Sequence, residues 1–170
     1  MYLREKGQLI LRVLHLVAIS SWMGSVLCVL CLVHLAPMAG TDDELFGILR
    51  ASVIINQYIL VPVGAFGTFF TGLAYSMCTH RGFFRYTWIA CKWIITMGMV
   101  LFGIVYLGPW AGQELDAVYQ HGLAAYARPE IAAQHARREL ACIVYAVLLL
   151  FSTALSVFRP WERPAAVIRR

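Results

Sequence analysis

The residues of this chain with the clearest capacity for chemistry are two imidazoles and an amine set in otherwise apolar sequence. His15, His34 and Lys92 all fall within or at the edge of long uncharged stretches, with Ser20, Ser21, Ser25, Asn56, Gln57, Thr68, Thr71 and Thr96 as the other polar members. The hydroxyls can bond back to their own helices and need no further role. An imidazole at the position of His15 could ligate haem iron or another metal, hydrogen-bond a neighbouring helix, or carry protons. Trp22 lies seven residues on and shares its helical face. Lys92 follows Trp88 on one face. Its amine could snorkel to the headgroups or pair with a buried carboxylate. No acidic side chain lies at that depth, so the carboxylate would come from a ligand, and porphyrin propionates meet that need.

The remaining histidines sort by side. His80 falls at the same rim as His15, whereas His34, His121 and His135 belong to the opposite rim or beyond it. One haem takes one or two axial ligands from facing helices. His15, with His80 as an alternative, could serve one haem, and His34 or His135 a second. His15 and His34 are separated by about 28 Å at 1.5 Å per helical residue, which suits two stacked cofactors rather than one. Cys28-x-x-Cys31-x-x-His34 has the residue types of a metal set, but one helix spreads these positions over too wide an arc to surround an ion. No histidine directly follows a CxxC pair, so any haem is expected to be non-covalent, of the b type.

These residues need elements to position them, and the charge distribution supplies those elements. The 170 residues are 61% hydrophobic and 14% charged, against about half and a quarter in soluble domains. No Asp, Glu, Lys or Arg occurs from Val13 to Thr41, Ala51 to His80, Trp93 to Gln113, or Leu140 to Phe158. Crossing roughly 30 Å of hydrocarbon takes about 20 apolar residues. The prediction is a single all-α domain, 1–170, an integral membrane four-helix bundle with spans near 8–35, 51–78, 86–107 and 138–158. The first apolar run is too long for a signal peptide and reads as a retained span.

Arg4, Lys6 and Arg12 precede the first span, Arg81, Arg85 and Lys92 flank the turn between the second and third, and Arg159, Arg163, Arg169 and Arg170 follow the fourth. The other connections are acidic or mixed, so both termini are expected to be cytoplasmic (N-in/C-in), in a bacterial-type inner membrane. The same rule accounts for the net charge of +5 without nucleic acid. Thr41 before Asp42–Glu44 reads as a helix cap. Pro62 and Gly64 predict a kink or unwound turn in span two. The short turn around Gly82 predicts that spans two and three are antiparallel neighbours. Span three is expected to end before Gly108-Pro109. Leu115, Val118, Tyr119, Leu123 and Tyr126 then recur at helical spacing, which predicts a separate outer amphipathic helix on the membrane surface between spans three and four. The odd set of five cysteines is expected to act as small apolar packers rather than as a disulfide framework.

Leu11-Arg12-Val13-Leu14-His15, with Trp22 and Gly24 following, resembles the first helix of the small four-helix membrane protoporphyrinogen IX oxidases. It is also similar to uncharacterised bacterial membrane proteins related to them and, more loosely, to copper-resistance D proteins. Thr68 to Leu73 resembles the Thr-x-x-x-Gly-Leu of that family's second helix, Trp88 to Lys92 its Trp-x-x-x-Lys, and Val157 to Pro160 the basic-Pro end of its fourth helix. The likeness covers most of the chain except the connection from Trp110 to Arg137. It implies that His15 is a haem ligand and that Lys92 is needed for activity. The expectation is a b-type haem protein that moves electrons or senses a redox state or small ligand, with one or two haems. Its expected partners are the lipid bilayer and a quinone or another redox membrane protein, and a homodimer is an expected assembly. The rival expectations are an oxidoreductase acting on porphyrinogen or quinone, and a copper transport or resistance protein using Met23, Met38, Met77, Met97, Met99 and the cysteines.

Overall fold

A computed structural model describes residues 5–78 and 87–158, all of them helical apart from short connections. Helix α1 (Glu5–Leu35) ends in a 3-10 turn, Ala36–Met38, with Pro37 in its first turn. Helix α2 (Asp42–Ile55) starts where expected: the Thr41 hydroxyl accepts a hydrogen bond from the Glu44 amide at 3.2 Å. It continues unbroken through a π-helical segment, Asn56–Phe66, into α3 (Gly67–Cys78). Helix α4 (Thr87–Phe102) passes through a second π segment, Gly103–Leu107, into α5 (Gly108–His121). A 3-10 stretch, Gly122–Ala127, leads to α6 (Pro129–Phe158).

Among the described residues, four helical runs are long and apolar enough to cross a membrane. Their outward faces are apolar: Leu9, Ile10, Val13, Leu14, Leu16 and Val17 are all more than half exposed, as a lipid-facing stripe requires. The end of the bundle where α1 begins and α6 finishes is here the terminal end, and the opposite end the loop end.

Pro62 and Pro109 each lie in or just after a π segment. Pro62 sits inside the first π segment. The second π segment precedes Pro109, with the Gly108 amide reaching back five residues to the Gly103 carbonyl. Proline lacks an N–H and crowds the carbonyl four residues earlier, and the wider π turn relieves both problems. Pro62 therefore loosens span two as predicted. Pro109 does not stop span three, which runs on as α5, so the amphipathic stretch is a continuation of that span rather than a separate surface helix.

Span one is the hub, packing on span two along its length and on span four, while α4 and α5 pack on α6. Gly64 sets the closest approach: a Cβ there would lie 2.7 Å from the Trp22 Cα. Small residues at such crossings let membrane helices touch backbone to backbone. Gly64→Ala is expected to destabilise the bundle by about 1–3 kcal/mol, the usual cost of overpacking a filled interface, read as a lower unfolding midpoint in detergent. Spans two and three are neighbours at the loop end, where α2 packs on α5. In the terminal half α3 and α4 draw apart, and an edge-to-face pair, Phe69 with Trp93 at 5.4 Å, reaches across the gap. That gap holds the cavities.

The core between the spans is Trp22, Val26, Ala65, Met99, Tyr145 and Leu149. A second cluster at the loop end joins α2 to α5 and the 3-10 stretch through Leu45, Leu49, Leu115, Val118 and Ala125. Gly122 has φ of +56°, and a Cβ there would strike Asp42, whose Oδ1 accepts the Leu123 amide at 2.7 Å.

Candidate functional site

A cavity of about 380 Å³ opens between spans two and three in the terminal half of the bundle. His15, Arg12 and Trp22 reach it from α1, Thr68, Phe69, Gly72 and Tyr75 from α3, Trp88, Lys92 and Trp93 from α4, and Ser152 and Ser156 from α6. Its size falls in the range of small-molecule and cofactor sites.

His15 is fixed by α3. Its Nδ1 lies 2.7 Å from the Thr71 hydroxyl, which itself donates to the Gly67 carbonyl at 2.6 Å. The one hydroxyl proton is thereby used, so Thr71 accepts from His15 and Nδ1 carries the ring proton. Nε2 is left with its lone pair, the state a metal-ligating imidazole needs. Gly72 lies beside the ring; a Cβ there would sit 3.4 Å from His15 Cε1. One turn before His15, Arg12 Nε donates to the Tyr75 hydroxyl at 3.2 Å and its guanidinium lies over that ring. The two contacts are successive rungs between α1 and α3.

Across the cavity, Lys92 donates to the Ser156 hydroxyl of α6, and Ser156 donates to the Ser152 carbonyl at 3.1 Å. The amine is thus turned inward to the bundle rather than up to the headgroups. The wall carries two cationic side chains and no Asp or Glu. Trp22 Nε1, Thr68 Oγ1 and Ser152 Oγ, all on wall residues, are buried with no hydrogen-bond partner among the described residues. Buried polar groups normally have partners, so these three are exceptions among the residues of the cavity wall.

The loop end carries a different constellation. Glu114, fully buried, accepts from His135 Nδ1 at 2.6 Å and from the Tyr126 hydroxyl at 2.7 Å on one oxygen, and from Arg138 at 2.8 Å on the other. Arg138 also donates to the Ser52 hydroxyl at 2.6 Å.

Of the sequence-predicted site residues, the structure brings His15 and Lys92 to one cavity with Trp22 and Trp88. His34 is exposed at the loop end and paired with Glu139 at 2.7 Å. His135 is buried against Glu114, and neither histidine lines the His15 cavity. His80 lies outside the described residues. Among the described residues Cys28 and Cys31 are exposed and free, and Cys142 is buried. Among the described residues no three His, Cys, Asp or Glu side chains gather as a metal site. Met38 and Met77, both exposed, lie at opposite ends of the bundle.

Sequence reasoning passed over Arg12, Thr71, Tyr75 and Ser156. The available signal was spacing: Arg12 and His15 are three apart and Thr71 and Tyr75 four apart, so each pair shares a helical face. Comparison with known protein families, with curated proteins and with solved structures finds no match to this chain.

Proposed function

We propose that this chain is a b-type haem-binding integral membrane protein that moves electrons or senses a redox state or small ligand. The observation that carries the reading is the cavity in which an imidazole with a free Nε2 faces two cations and no acid, within aromatic and apolar walls. A haem is an apolar disc with two carboxylates and an iron that takes imidazole nitrogen. His15 Nε2 would be the axial ligand, Thr71 would hold the ring, and Lys92 and Arg12 would take the propionates. Bound there, the haem would supply a one-electron couple and a position for a small ligand. A membrane quinone or a second redox membrane protein is the proposed partner.

Protein purified from haem-replete cells is expected to show a Soret band, with about one haem per chain by pyridine haemochrome. A colourless preparation that stays empty after haem addition would overturn the proposal.

The same basic-residue asymmetry that predicts orientation supports both termini on the cytoplasmic side of an inner membrane. A reporter fused after Arg170 should read cytoplasmic, and one inserted near Gln120 external. An external C-terminus would reverse the assignment.

A further inference from the structure

Next to the His15 cavity, toward the loop end, lies a second void of about 50 Å³. Trp22 and Met99 line both spaces, so they form the partition between them. The rest of its wall comes largely from the two π segments, with Leu60 and Ala65 from the first and Gly103 and Leu107 from the second. π winding is uncommon and tends to mark functional sites. Here two such segments, far apart in sequence, face one space.

The void's chemistry selects its occupant. A buried water needs two to four polar partners, and the polar groups of this wall are already engaged. The Tyr145 hydroxyl donates to the Met99 carbonyl, and Arg138 is held by Glu114 and Ser52. The Asn56 amide and the Cys142 thiol are left, too few for a stable water cluster. The space is too small for a ring system, since benzene occupies an apolar cavity of about 150 Å³, whereas a single xenon atom is far smaller than benzene. What fits is a molecule of two or three heavy atoms with no need of hydrogen bonds.

We infer that this void is a docking site for a small apolar gas molecule, of the dioxygen or carbon monoxide class, opening onto the His15 cavity past Trp22 and Met99. The inference rests on the haem reading only for what the gas is delivered to; the docking itself needs no haem. Such molecules concentrate in lipid, and the void lies within the apolar part of the bundle.

Xenon is the probe. Crystals of the full-length protein under xenon pressure should show an anomalous peak bounded by Trp22, Val26, Leu60, Met99 and Tyr145. Val61→Phe, which places a ring into the void from a half-buried position, should remove the peak. An absent peak in the unaltered protein, or ordered water in its place, would overturn the docking site. In haem-loaded protein, carbon monoxide recombination after photolysis should slow about tenfold in Val61→Phe, equivalent to about 1.4 kcal/mol of barrier. Unchanged recombination in a variant that has lost the xenon peak would overturn the delivery role. Xenon binding in a protein that never takes haem would uphold the docking site while sinking the haem reading, so the two failures are distinguishable.

Discussion

His15→Ala is expected to empty the cavity of haem, whereas Lys92→Ala is expected to leave haem bound with altered properties. The difference follows from what each side chain would contribute. His15 would give the bond to iron, and nothing else within the described wall offers a nitrogen or sulfur in its place: the other wall residues are aromatic, aliphatic, hydroxyl-bearing or cationic, with only the Met99 thioether as a weak donor. Lys92 would give a charge-assisted hydrogen bond to a propionate, about 1.5–3 kcal/mol, hence roughly one to two decades of affinity. Removing that positive charge should also lower the reduction potential, because a nearby cation favours the reduced iron. Thr71→Val is the finer test. It keeps the imidazole but removes the acceptor that fixes its tautomer, and loss of such a partner typically weakens metal binding about 10–100-fold. Haem content by pyridine haemochrome, read with the Soret position and redox titration, checks all three. Full haem content and an unchanged spectrum in His15→Ala would end the ligand assignment, and would move attention to His80.

The spans were legible because four charge-free stretches admit little else, and the Thr41 cap and the loosening at Pro62 followed from side-chain chemistry local to each position. What was not legible depended on register between helices. Thr71 reads alone as a hydroxyl satisfied by its own helix, and it is so satisfied through Gly67; that it also fixes His15 depends on which face of α3 meets α1. Arg12 reads as one more basic residue before a span until Tyr75 is placed opposite it. Pro109 misled for a different reason. Composition marks where the hydrocarbon ends, and the backbone passes that point by widening into a π turn. Cys28 and Cys31, expected as small apolar packers, lie on an exposed helix surface, and a lipid-facing surface accepts a small apolar side chain as readily as a core does.

The loop-end cluster was hidden for the same reason as Thr71, and it carries the largest expected effect on stability. Glu114 and Arg138 are 24 residues apart and read separately as loop charges, but α5 and α6 fold against each other so that both are buried. Removing one partner of a buried pair leaves the other charge uncompensated, which typically costs about 3–5 kcal/mol. Arg138→Ala should reach this range because it also frees the Ser52 hydroxyl and leaves Glu114 dependent on His135 and Tyr126. Glu114→Ala should do the same by stranding Arg138. The double variant Glu114→Leu/Arg138→Met should cost far less than the sum, since replacing both ions by apolar groups of similar volume is often near neutral. Unfolding midpoints in detergent would measure the effect, and the single variants should show a strong coupling energy. Additive losses with no coupling would mean that the pair does not hold the loop end, and that packing of Leu45, Leu49, Leu115 and Val118 suffices to fix α5 and α6 on α2.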